Sequence, residues 1–244
     1  MVWDYPGCSN RMISPVYQDI LTCDNDNVTF GEPTGERTKV SLKSIGEGFK
    51  FLFSKKILWS TKLLDTISVL FASPVIIFPI FANEILHVGP QGLGLLYAAP
   101  SVGGVVIGFI IAPFIGKIKN QGKLLLVAVT IFALATILFG LSTSFTLSLI
   151  ALFVAGGANV ISVILRSTIT QVNTPDKMMG RLSSISSIFW VTGDKVGDVE
   201  AGFATQIFGA SLSVALGGVA ALITVALMAL IPALRNYTDD SQTQ

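Results

Sequence analysis

The stretch VTGDKVGDVEAGFATQ, residues 191–206, places Asp194, Lys195, Asp198 and Glu200 within seven positions of a mostly apolar run. Only 13% of the 244 residues are charged and 51% are hydrophobic, with a mean hydropathy of +0.70. A soluble domain of this length rarely combines so much apolar residue with so little charge. Several membrane spans do, each needing roughly 20 apolar residues to cross ~30 Å of hydrocarbon. The quoted charges therefore fall inside a bilayer segment, and their use there bears on what the chain does.

Outward from that stretch, six apolar runs cover 57–83, 91–115, 123–141, 146–170, 182–207 and 211–234. The breaks between them are short, so successive helices are expected to run antiparallel. Lys and Arg crowd before the first run (Arg37 to Lys56), in the second loop (Lys117, Lys119, Lys123) and in the fourth (Lys177, Arg181), with Arg235 in the tail. The first, third and fifth loops have none. The positive-inside rule then puts both termini in the cytoplasm, and an even number of spans agrees. The fold expected is an all-α integral membrane protein over 57–234 in the cell (inner or plasma) membrane. A polar, loosely ordered cytoplasmic segment (1–40) precedes it, and a cytoplasmic tail (235–244) follows. Between segment and first span, 41–56 sets Leu42, Ile45, Phe49, Leu52 and Phe53 at helical spacing among lysines. That suits an amphipathic helix at the membrane surface, or one packing on a partner domain.

The spans differ in kind. The third from Leu124 to Leu141 and the sixth from Ser211 to Leu234 contain no charge, the first carries Lys62 and Asp65, the fourth Asn159 and Arg166, and the fifth the quoted cluster. Polar residues in the first member of each group of three, with an apolar third member, suggest a 3+3 repeat. Pro74 and Pro79 interrupt the first helix, while Pro100 and Pro113 flank a glycine-rich second one. Gly104 and Gly108 there form a small-xxx-small pair that admits a neighbouring backbone.

At 100° per residue, Asp194 and Asp198 lie within about 40° of each other, with Lys195 beside them. Val196, Val199, Phe203 and Ile207 form an apolar face for lipid; Gly193, Gly197, Ala201 and Ala204 form a face for another helix, with Glu200 at its border. Lys195 is close enough to Asp198 to pair with it. A charge in the membrane interior costs at least ~2.5–3.5 kcal/mol, so the cluster should face protein or water. It either fixes helix packing as a neutral pair or lines a watery cavity with titratable carboxylates. Asp65 is a second such carboxylate, if it faces the same cavity rather than an interfacial end. Arg166, near the cytoplasmic end of its span, is expected to meet headgroups or helix C-terminal carbonyls, or, like Asn159 and Glu200, to serve cavity or packing.

A net charge of +1 argues against a nucleic-acid partner. Cys8 and Cys23 both lie in the polar lead and supply no disulfide framework. The single histidine, His87, falls in an outer loop. With no metal cluster, nucleotide loop or nucleophile–base arrangement in view, neither an enzyme nor a cofactor is expected.

The runs EGFKFLFSKK, GPQGLGLLYAAPSVGG, RSTITQVNTPDKMMGRLSSI and GDKVGDVEAGFATQIFGA resemble the C-terminal half of a major facilitator superfamily transporter over about residues 40–237. The likeness is to the branch that holds the enterobactin exporter and drug-efflux pumps. Its most specific elements are the loop with Gln171, Pro175, Asp176, Gly180 and Arg181, and the run with Gly193, Gly197, Glu200 and Gly202. The resemblance implies that the first, second, fourth and fifth helices line a central cavity while the third and sixth lie outside. It also implies a proton-coupled exporter of small amphipathic molecules, siderophore-like or drug-like, with Asp194, Asp198 and Asp65 as proton or cation sites and Lys195 as charge partner. The loop GKIKNQGK departs from the family's basic signature, being one residue short with Asn120 where Asp is common. The complete fold has twelve spans, so six imply inactivity alone. A missing N-terminal half or a second copy would complete the chain, or it is the product of a truncated gene. The competing expectation is a non-transporting membrane scaffold or subunit.

Overall fold

The computed structural model describes residues 21–24, 27–30, 42–72, 75–115 and 120–231, in two units, Met1–Ser41 and Leu42–Gln244. In the first unit, β1 (Leu21–Asp24) and β2 (Asn27–Phe30) form an antiparallel hairpin with Cys23 opposite Val28. The all-helical expectation therefore describes the second unit only. The rest of the lead, Cys8, the tail 235–244, Pro74 and the basic loop at 116–119 lie outside the described residues.

In the second unit the described residues form seven helices: α1 (Leu42–Ser54), α2 (Lys56–Ala72), α3 (Gly89–Ile115), α4 (Gln121–Leu141), α5 (Phe145–Val172), α6 (Asp176–Phe208) and α7 (Ala210–Ala229). Between α2 and α3, residues 75–85 continue helically through a 3₁₀ turn, one α turn and a π turn. Pro79, which has no N–H to donate, sits in that α turn, and the ladder changes pitch around it. Leu86 N–H then reaches back to the Phe81 carbonyl at 2.8 Å, closing the wider π turn.

Five segments are long and apolar enough to cross a bilayer: Ile57–Ile85, Gly89–Ile111, Gln121–Leu141, Phe145–Val172 and Ala210–Ala229. α6, at 33 residues, has the length but not the apolarity, because it holds the charged stretch and a serine-rich start. It also begins at Asp176 rather than 182. Pro175, extended at ψ 145, is the last residue before the helix, and the expected loop from Asp176 onward is its first turns.

Connections are tight. Ser142–Ser144 join α4 to α5, with the Ser142 hydroxyl donating to the Ser144 carbonyl at 3.0 Å. Gly209 alone separates α6 from α7 at φ 81, a left-handed conformation that other residues adopt at a cost. Several hydroxyls inside the spans are satisfied locally: Thr130, Thr136, Thr168 and Thr224 each donate to the carbonyl four residues back, at 2.7–3.0 Å. Such internal pairing is what an apolar surrounding demands.

α3 packs on α5, α4 lies against both α5 and α7, and α2 packs on α6 and α7. Backbone approach is closest between α3 and α5, where a Cβ on Gly103 would collide with the Phe153 carbonyl and one on Gly156 with that of Pro100. Gly104 and Gly108 lie against Val160 of the same partner, so the small-residue face of α3 is used as expected. α1 lays Gly48 against Ile185 of α6 and Phe49 against Phe189, ring centroids 5.9 Å apart, with Leu52 fully buried. Phe49 and Leu52 of its apolar face are thus taken up by the bundle itself, while Phe53 stays exposed. α4 and α7 each show the exterior one apolar stripe, Val127, Ile131, Leu134 and Leu138 on the first and Leu212, Leu216, Val219 and Ile223 on the second.

Candidate functional site

α6 has three sides. Gly193, Gly197 and Ala201 are buried; Gly193 meets Thr66 of α2, and Gly197 comes so close that an added Cβ would lie 2.6 Å from the Leu70 carbonyl. Val196, Val199, Phe203 and Ile207 are exposed. On the third side, Lys195 Nζ donates to Asp194 Oδ2 and to Asp198 Oδ2, each at 3.0 Å. One ammonium thus bridges two carboxylates on its own helix, leaving the trio with one negative charge. Asp198 also lines a shallow groove with Ile76 and Phe203. Glu200 is half-buried, apart from this trio.

Asp65, grouped with these carboxylates in the sequence reading, lies elsewhere. It pairs with Arg166 Nη1 at 2.5 Å, joining α2 to α5. The side chains of Arg166 and Asp65 are 9% and 20% exposed, against 69%, 35% and 27% for Lys195, Asp194 and Asp198. Arg166 therefore does not reach headgroups or helix-end carbonyls. A guanidinium in the apolar middle of a bundle requires a carboxylate, and Asp65 supplies it. Counted along the helices, Asp65 is about 14 Å from the start of α2 and Arg166 about 9 Å from the end of α5, whereas Asp194 is about 27 Å into α6. The two centres sit at different depths.

The ion pair stands between two spaces. On one side is a cavity of about 180 Å³ enclosed by α2, its 75–85 extension, α3, α4 and α5, with Phe78, Phe132 and Phe139 in its wall. On the other is an open groove between α2, α5 and α6, edged by Lys62, Ser183, Ser187 and Trp190. Both share Asp65, Val69, Asn159 and Arg166, so they meet at the ion pair and Asn159 serves both. Phe132 and Phe139 come from α4, the third span, which therefore also lines an interior space. Sequence reasoning did not reach the Asp65–Arg166 pair, Lys62 as a groove residue, or Ser68. The available signal was Arg166 itself, a lone cation within an apolar 28-residue helix.

A bundle of bilayer-length apolar helices, with two charged centres bordering open grooves, defines a multi-pass membrane protein. The chain is a member of the Major Facilitator Superfamily, matched over residues 25–194. Among curated proteins it is 30% identical over 200 residues to the enterobactin exporter EntS of Citrobacter koseri, covering 80% of this chain and 47% of that protein. To EntS of Escherichia coli K12 it is 28% identical over 197 residues, 80% of this chain and 47% of that one. To EntS of Escherichia coli O1:K1 / APEC it is 28% identical over 190 residues, 78% and 45% respectively. The chain spans about half the length of these relatives. No solved structure matches it.

Proposed function

We propose that these residues form one six-helix wall of a proton-coupled secondary transporter exporting small amphipathic molecules, siderophore-like or drug-like. The observation that carries the reading is the division of surfaces. α2, α5 and α6 turn charged and hydroxyl side chains toward open grooves, while α4 and α7 turn only apolar stripes outward. Charge in a span is tolerated where it faces water or protein, so the grooved side suits a solute path and the apolar stripes suit lipid.

α6, fifth in chain order, completes the six spans in this reading, its charges facing the path. A 3+3 arrangement is supported by the packing pairs. Exchanging the first three spans with the last three turns the α2–α6 contact into α5–α3, turns α4–α5 into α7–α2, and leaves α4–α7 in place; all of these pairs occur. Solute would lie between this wall and a second six-helix unit, either the N-terminal half or a second copy, and the 244 residues alone would not transport. Asp194, Asp198 and Asp65 are the proton or cation sites. Neutralising them changes the charge of the path and favours the opposite-facing state. Flux of a fluorescent amphipathic solute, measured in proteoliposomes holding both units, tests this. Asn at both 194 and 198 should abolish gradient-driven efflux, and full flux would refute the assignment. Both termini are proposed to be cytoplasmic. Cysteines placed at Gln121 or Lys177 should then resist an impermeant reagent added outside intact cells, while one at His87 should react.

A second reading, a non-transporting membrane scaffold or subunit, is favoured by one feature: Asp65–Arg166 ties two helices together in the way a purely structural pair would. Charge-neutralised variants that lose protein level while keeping flux per molecule would support it.

A further inference from the structure

We infer that the enclosed cavity beside the Asp65–Arg166 pair is a binding site for one neutral aromatic ring bearing a hydroxyl, a ligand of phenol size. The size matches: at about 180 Å³ it slightly exceeds the ~150 Å³ at which an apolar protein cavity takes up benzene. The wall matches as well. Phe78 and Phe139 lie with ring centroids 5.5 Å apart at 73°, an edge arrangement, and Phe132 lines the space two turns before Phe139 on α4. Aromatic rings associate favourably in such tilted and edge geometries.

The end near α2 is polar. Ser68, 4% exposed, lines the cavity, and its hydroxyl has no hydrogen-bond partner among the described residues. A buried hydroxyl left in that state costs free energy that a ligand hydroxyl would recover. Asp65 stands one helical turn before Ser68 on the same helix and also lines the cavity, so a ligand hydroxyl there has both a hydroxyl and a carboxylate near it. Asp65 and Arg166 compensate each other, and Lys62, a further cation within electrostatic reach of both, edges the groove and not the cavity. A charged ligand would therefore lose its hydration with no countercharge of its own in the cavity wall, which selects a neutral one. Access is from the open groove, through the lining the two spaces share.

The site extends the transport reading by naming one portion of a solute that this wall would hold, but its test needs no transport. The full chain purified in detergent is titrated with 4-fluorophenol and, separately, with 4-fluorotoluene, followed by fluorine NMR against detergent blanks. Saturable binding of the phenol, tighter than that of the toluene, is expected. Ser68→Ala should weaken the phenol about three- to tenfold and leave the toluene unchanged, the scale of one net hydrogen bond. Ala155→Leu, which puts a larger side chain into the cavity wall, should abolish both. If neither probe binds the unaltered chain, or the phenol is indifferent to Ser68→Ala, the inference is overturned and the cavity holds water alone. Ser68→Ala removes one oxygen only, so it decides the question even if Ala155→Leu does not fold. Failure of the transport reading would show in proteoliposome flux and leave these titrations untouched.

Discussion

Two charged centres of similar composition are held in opposite ways. Lys195, Asp194 and Asp198 belong to one helix and one turn, and the cation among them is largely exposed. Asp65 and Arg166 are 101 positions apart in sequence, on different helices, and mostly buried. The first cluster can lose a member without leaving a buried charge. The second is less tolerant, because without Arg166 the mostly buried Asp65 carboxylate keeps only Lys62, three residues before it on α2, as a cation within electrostatic reach. Exposure therefore predicts which centre holds the fold and which can be altered without disturbing it.

The largest effect should come from breaking the buried pair on one side. Arg166→Leu leaves the Asp65 carboxylate in a mostly apolar site, and single-sided loss of such a pair costs about 3–5 kcal/mol. Unfolding of the purified chain in mild detergent measures this. Asp65→Asn combined with Arg166→Leu should recover a large part of the loss, since no uncompensated charge remains. If Arg166→Leu alone is as stable as the parent, the contrast between the centres collapses.

Next in size is a change on the charged helix that leaves its charges alone. Gly197 is two residues from Lys195 and so on the side that meets α2, where an added Cβ would lie 2.6 Å from the Leu70 carbonyl. Gly197→Ala should therefore destabilise by roughly 1–3 kcal/mol, the range for overpacking a filled contact. On the same helix, Asp194→Asn with Asp198→Asn should leave the unfolding midpoint close to the parent's while removing gradient-driven flux in the two-unit transporter. A large loss of stability in that double variant would instead make the exposed cluster structural, like the buried one.

The same contrast explains what could be read from sequence. Charges three or four apart on a helix are neighbours by geometry alone, so the Lys195–Asp198 bond and the packing face of Gly193 and Gly197 follow from helical periodicity. The spans did too, to within a few residues for most, because uncharged runs such as Leu124–Leu141 have few alternatives in a bilayer. The pairing of Asp65 with Arg166 depends on which helices lie side by side, and local spacing carries no such information. Arg166 was accordingly placed by its distance from the helix end, a rule suited to exposed cations. α6 illustrates the reverse: its length was recoverable, but its charges keep it from meeting the apolar standard for a span that its neighbours meet. Ser68 gave no signal, since an isolated serine in an apolar helix is ordinarily satisfied by the carbonyl four residues back.

The smallest expected effect is the most discriminating, because it separates the centres without changing their shape. Mobile ions screen charges in contact with water, with a Debye length of ~10 Å at 0.1 M salt and ~3 Å at 1 M, and reach buried pairs far less. A double-mutant cycle on Lys195 and Asp198, run on unfolding midpoints, should give a small favourable coupling in dilute buffer that vanishes at 1 M salt. The corresponding cycle on Asp65 and Arg166 should keep most of its coupling over the same range. The α6 trio carries one net negative charge, so screening also removes a residual repulsion between Asp194 and Asp198, and Lys195→Ala should be tolerated better in high salt than in low. If both cycles fade in parallel, water and salt reach Asp65–Arg166 through the α2–α5–α6 groove, and that pair would join the exposed cluster as part of the solute path.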